Sequence, residues 1–98
     1  MLKKNYTNTG EKCRVTFRLA AETGAQRVNL AGEFNAWNET SHPMKQLKNG
    51  DFSITVTLEA GQSYRFRYLL DGERWENDWD ADTYLPNPMG TEDSVVKV

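Results

Sequence analysis

Apolar and polar residues alternate with a period of two in three runs of this chain. Cys13, Val15, Phe17 and Leu19 interleave with Arg14, Thr16 and Arg18. Phe52, Ile54, Val56 and Leu58 interleave with Ser53, Thr55 and Thr57. Tyr64, Phe66, Tyr68 and Leu70 interleave with Arg65, Arg67 and Leu69. Successive side chains of a strand point to opposite faces, so each run predicts a strand with one buried face. Shorter strands are expected at Arg27–Ala31, Met44–Leu47 and Asp93–Val98, and the chain returns from the third long run through Trp75 and Trp79. Turn signals fall between them at Gly24, Asn49-Gly50, Ala60-Gly61 and Asp71-Gly72, pairs that accept the positive φ of tight turns. Pro86 and Pro88 exclude a central strand in the acidic stretch before the last segment, because proline cannot donate to a ladder. No window of a dozen residues has a helical period. About seven short strands separated by turns predict an all-β fold, an antiparallel β-sandwich of the immunoglobulin-like kind.

Two segments depart from alternation. Residues 1–10 are polar and weakly patterned, and read as a flexible arm or a short edge strand. Residues 11–98 then form a single sandwich domain. The stretch from Gly32 through Phe34, Asn35 and Trp37 to Pro43 has neither period and is rich in Gly, Asn and Ser, which predicts a long ordered loop of the kind that carries function.

Composition narrows the classes. A chain of 98 residues is one domain and cannot hold a (β/α)₈ barrel of about 250 residues. The net charge of −2 gives no field that would draw the chain to nucleic acid or to an anionic membrane. The single cysteine, Cys13, excludes an intrachain disulfide and sits where a small buried thiol belongs. There is no membrane-length apolar run and no apolar segment of a secretory signal, so a cytoplasmic protein is expected.

The chemistry lies in the hairpin. Tyr64, Phe66 and Tyr68 are expected in the core, which turns Arg67 outward beside Trp75 on the returning arm. A flat aromatic next to a long hydrogen-bond donor on a rigid hairpin suits a sugar: the indole face stacks on the C–H face of a pyranose, and the donor serves its hydroxyl edge. Trp79 is expected to pack in the core or at an edge, and Asp93 to be a surface acid or a ligand to sugar hydroxyls. Catalysis is not expected, since no nucleophile–base pair, phosphate loop or carboxylate pair fixed across a cleft can be identified. No cofactor is implied. The run Asp78-Trp79-Asp80-Ala81-Asp82 opens like a calcium loop but has Thr83 and Met89 where Gly and Glu are needed, so no metal site is expected.

With the strands placed, the sequence resembles carbohydrate-binding module family 48, the glycogen-binding and isoamylase N-terminal "early set" domains. That family includes the glycogen-binding module of the AMP-activated protein kinase β subunit. The resemblance rests on Val28-Asn29-Leu30-Ala31-Gly32-Glu33-Phe34-Asn35-Ala36-Trp37, on Tyr68-Leu69-Leu70-Asp71-Gly72 with Trp75, on Pro86-Asn87, and on Gly90-Thr91 leading to Val95-Val96-Lys97-Val98. It implies an immunoglobulin-like sandwich that binds α-1,4-glucan (glycogen, starch or maltodextrin) without catalysis. It also implies a platform of Trp37 and Trp75, with Arg67, Thr91 and Asp93 on the hydroxyls and Met89 against the glucan coil. Two positions depart from the family pattern, Arg67 for Lys and Asp93 for Asn. An ionised Asp only accepts hydrogen bonds, whereas Asn also donates. The expected role is a stand-alone glucan-binding module. The alternative is a protein-interaction module that docks onto a glycogen-metabolising enzyme or kinase partner with weak or no glucan binding.

Overall fold

The computed structural model describes residues 2–98. Within these residues nine strands form two antiparallel sheets. The first sheet contains β1 (Leu2–Tyr6), β2 (Lys12–Leu19), β5 (Phe52–Glu59) and β4 (Lys45–Gln46), in the order β1-β2-β5-β4. The second contains β3 (Val28–Gly32), β6 (Ser63–Leu70), β9 (Glu92–Lys97) and β8 (Thr83–Pro86), in the order β3-β6-β9-β8, with β7 (Arg74–Glu76) pairing β6 alone. The fold is the β-sandwich that the alternation predicts. β7 and β8 are not separable in the sequence, because three or four residues are too few to display a period. β8 is an edge strand that ends at Pro86, a place where a missing N–H costs no ladder bond.

The inward faces of the long strands make the core. Phe17 of β2 meets Phe66 of β6 edge to face at a centroid distance of 4.9 Å, and Phe66 meets Tyr68 at 5.7 Å. Cys13, Val15, Leu19, Leu30, Phe52 and Val96 close around them. Tyr64 is half-buried at the rim of this cluster and Tyr68 is fully buried. Phe66, Tyr68 and Leu70 share the inner face, so Arg65, Arg67 and Leu69 must share the outer face of the second sheet. The outer face of the first sheet is polar, with Thr16 and Thr55 hydrogen-bonded at 2.9 Å.

Three devices fix the elements that reach the outer face of the second sheet. The β6–β7 turn places Asp71 and Gly72 at φ 54° and 72°, and the Asp71 carboxylate accepts from the N–H groups of Gln26 (2.9 Å) and Arg27 (3.0 Å). These bonds tie the turn to the start of β3 and hold the Asp71 carboxyl below its ordinary pKa. The arm after β7 is stapled inward: the buried Tyr68 hydroxyl donates to Asp78 Oδ2 at 2.6 Å, and Asp78 N donates to Ser94 Oγ at 2.8 Å. Burial, reinforced by the Asp78 charge and this hydrogen bond, pushes the Tyr68 pKa well up. Asn77 completes the staple by accepting from Ser94 N (3.1 Å) and donating to Glu92 O (2.9 Å).

The third device shapes the long loop. A 3₁₀ turn at Glu33–Asn35 follows β3. Asn35 Oδ1 accepts from Gly32 N at 3.0 Å, and its Nδ2 donates to Leu30 O at 3.0 Å. Phe34 packs on Phe17 and Tyr64, and Glu33 Oε1 accepts from Arg65 N at 2.7 Å. Gly32 is required by contact: a Cβ there would lie 2.6 Å from Arg65 O.

Candidate functional site

The outer face of the second sheet carries a cavity of about 370 Å³ lined by Trp37, Glu39, Arg67, Trp75, Asn87, Pro88, Met89 and Asp93. Each wall has a local cause. Trp75 pairs with Leu69 in the β6–β7 register, which puts its ring on the Arg67 face. The Arg67 guanidinium carbon stands 5.7 Å from the Trp75 ring centroid, within cation–π range. Asp93 precedes Ser94, the partner of Phe66, and therefore stands beside Arg67. Trp37 leaves the 3₁₀ turn with φ 59°, directly after Ala36 at φ 56°. Two successive non-glycine residues in left-handed conformation are strained, and a bulky residue there is a true outlier. A hydrogen bond from Trp37 N to Gly32 O at 2.9 Å holds the pair in place.

The floor is charged but incompletely paired. Asp93 is 6% exposed. Its Oδ2 accepts from Arg65 Nη1 at 3.4 Å and its Oδ1 from Asn87 Nδ2 at 3.1 Å. Arg67 Nε approaches Asp93 Oδ1 only to 4.0 Å, and that nitrogen is buried with no hydrogen-bond partner among the described residues. Arg67 is a largely buried cation braced by an indole and a carboxylate, at the wall of a cavity. A buried donor without an acceptor costs about 1–3 kcal/mol, and because this nitrogen is closed off, what the cavity meets is the remainder of the Arg67 side chain.

Of the six residues expected at a sugar site, Trp37, Arg67, Trp75, Met89 and Asp93 line this cavity. Thr91 does not. Its side chain is exposed and turns to Asn87, with the hydroxyl 2.8 Å from Asn87 Nδ2. Asp93 is no surface acid, because Arg65 and Asn87 reach over it from β6 and the β8–β9 turn. Trp79 corrects the expectation that it packs: it is 58% exposed, with its Nε1–H on Glu76 Oε1 at 3.3 Å. Trp79 is not among the residues that line the cavity. Its neighbour Asp78 takes the inward position, because Tyr68 and Ser94 offer that carboxylate and its backbone N–H their partners.

Glu39, Asn87 and Pro88 complete the lining without being expected there from sequence. Asn87 had a readable signal, an Asn opening a Pro- and Gly-containing turn. Its Oδ1 accepts from Met89 N (3.0 Å) and Thr91 N (3.2 Å), and the turn leaves Met89 80% exposed at the cavity rim. Among the described residues no cluster of three or more His, Cys, Asp or Glu side chains could hold a metal ion.

The sequence model of carbohydrate-binding module 48 (isoamylase N-terminal domain) matches residues 4–85. The chain is similar to the chloroplastic Protein PTST homolog 2 of Arabidopsis thaliana, at 34% identity over 62 residues, which is 63% of this chain and 10% of that protein. It is similar to the 1,4-alpha-glucan branching enzyme GlgB 2 of Xanthomonas campestris pv. campestris (strain 8004), at 32% identity over 69 residues, 69% of this chain and 9% of that enzyme. It is also 42% identical over 43 residues to the 1,4-alpha-glucan branching enzyme GlgB of Photobacterium profundum, covering 43% of this chain and 6% of that enzyme. The chain thus spans a tenth or less of the length of these curated relatives.

Proposed function

The chain belongs to the carbohydrate-binding module 48 family, and from that premise we propose that it binds α-1,4-glucan in the cavity between Trp37 and Trp75. One observation carries the reading: the partly exposed Trp75 ring flanks a guanidinium that lines the same cavity. Glucose offers the matching pair, a C–H face for the indole and a rim of hydroxyls for the guanidinium. Trp37 supplies the second aromatic wall, and Met89 supplies an apolar rim for a curved chain. Asp93 accepts from a sugar hydroxyl at the floor, and Thr91 acts through the turn it shares with Asn87. The branching-enzyme relatives act, by their names, on 1,4-alpha-glucan, which supports the same ligand class.

The binding is weak at a single site. Two aromatic stacks at about 0.5–1.5 kcal/mol each and a few hydrogen bonds at about 0.5–1.5 kcal/mol each must offset the cost of association. The expected dissociation constant is roughly 10 μM to 1 mM. Such a site suits a polymer that presents many equivalent segments. β-Cyclodextrin titrated against intrinsic tryptophan fluorescence tests the proposal. Saturable quenching in that range, lost in Trp75→Ala with the sheet circular dichroism unchanged, is the expected result. Silence up to about 10 mM, ten times the weak limit, contradicts it.

A second reading has one observation in its favour. Trp79 is the most exposed of the three tryptophans and is not part of the cavity lining, as suits a contact for a glucan-metabolising enzyme. In that reading the module docks onto a protein partner, and silence with cyclodextrin is its expected outcome.

A further inference from the structure

Asn87 sits where the β8–β9 turn meets the cavity floor, and its side chain bonds in both directions. Toward the turn, its Oδ1 accepts from Met89 N and Thr91 N. Those two backbone donors fix which end of the amide is oxygen. The Nδ2 end then donates to Thr91 Oγ1 within the turn at 2.8 Å and, toward the floor, to Asp93 Oδ1 at 3.1 Å. Asp93 in turn bonds Arg65 through its other oxygen and flanks Arg67 Nε. A planar amide is the only uncharged side chain of this length that offers two acceptor sites and two donors on one rigid group. The turn alone would need only the oxygen.

We infer that Asn87 is a positioning residue of the glucan site: it holds the Met89 turn on one side and the Asp93–Arg67 pair on the other in a single register. The inference rests on the glucan reading and extends it to a residue that need not itself bind sugar. Its consequence is that the apolar rim and the cationic floor move together. Loss of the Nδ2 bond lets Asp93 rotate toward Arg67, closes the 4.0 Å gap, and shifts the guanidinium from the position in which it lines the cavity.

Asn87→Asp separates this role from turn formation. The substitution keeps the acceptor for Met89 N and Thr91 N but sets a carboxylate oxygen against Asp93 Oδ1, and two carboxylates at that distance repel. Asn87→Asp should bind maltoheptaose about tenfold more weakly than wild type, a loss of about 1.4 kcal/mol, with the thermal midpoint held to within a few degrees. The swapped pair Asn87→Asp/Asp93→Asn restores a donor opposite an acceptor across the same gap and should bind more tightly than Asn87→Asp alone. In the protein without sugar, the Arg67 Nε–H resonance should move in the single variant and move back in the swap. Wild-type affinity from Asn87→Asp overturns the inference, as does a swap that regains neither affinity nor the Nε–H position. A wild-type protein that does not bind maltoheptaose instead sinks the glucan reading, and the resonance then decides whether Asn87 sets the position of Arg67.

Discussion

The residue with the most unusual environment is Arg67. It lies on the outer face of β6, paired with Ala31 and one position beyond the last β6–β9 pair. Its head rests on Trp75, and its Nε has no hydrogen-bond partner among the described residues. Its placement was legible, because alternation from Tyr64 to Leu70 assigns it to the face opposite the core. Its missing partner was not legible, since that depends on where β9 ends its pairing with β6 and lets Asp93 stop short. Asp93 itself could not be read as buried, because the cover comes from Arg65 and Asn87, which are distant from it in sequence or across a turn. Trp79 misled for the opposite reason. An aromatic flanked by acids reads as packed by size alone, while the buried Asp78 next to it wins the interior through four polar contacts. Ala36 gives a direct test of the strain beside Trp37. At φ 56° an alanine carries a Cβ penalty that glycine avoids, so Ala36→Gly should stabilise the fold by about 0.5–1 kcal/mol in denaturant unfolding. A destabilised variant would mean that the left-handed conformation is not held at this position.

At the scale of elements, the β6–β7 hairpin joins the core to the site. Its inner residues Phe66, Tyr68 and Leu70 lie in the core, and Arg67 and Trp75 on its outer face line the cavity, so a one-residue slip would exchange the two sets. Asp71-Gly72 marked this turn in the sequence. What could not be read there is that the Asp71 carboxylate reaches back to the N–H groups of Gln26 and Arg27, across more than forty residues. Those bonds favour the ionised form, so the carboxyl titrates below its ordinary value in the fold. The sign follows directly. The stabilisation is present above the unfolded carboxyl pKa of about 3.9, and it is lost as pH falls through the lower folded value. Asp71→Asn should therefore show a shallower loss of stability than wild type between neutral pH and about pH 2–3, followed by urea unfolding at each pH. Equal acid limbs in the two proteins would show that the turn bonds do not select the charged form. The Gly32 loop shows the limits of pattern reading from the other side. Its order was expected, but its shape comes from side chains bonding their own backbone, Asn35 above all, and such contacts leave no period.

The whole molecule divides labour between its sheets. The first presents a polar outer face of threonines and cations. The second gathers on its outer face the residues of the proposed site: two indoles, a braced guanidinium, a buried carboxylate and an apolar rim. Between them, the aromatic core and the Tyr68–Asp78 staple keep the second sheet and its returning arm in fixed relation. The sandwich was legible because strand periodicity is local, and five of the six expected residues meet because the sandwich brings four separate segments to one face. Three tryptophans make this division measurable, since each indole N–H gives its own NMR signal. Titration of the labelled protein with maltoheptaose, with signals assigned by single Trp→Phe variants, should move the Trp37 and Trp75 indole resonances together along one saturation curve and leave that of Trp79 in place. Indole signals that stay still up to about 10 mM sugar, or movement confined to Trp79, would contradict the account.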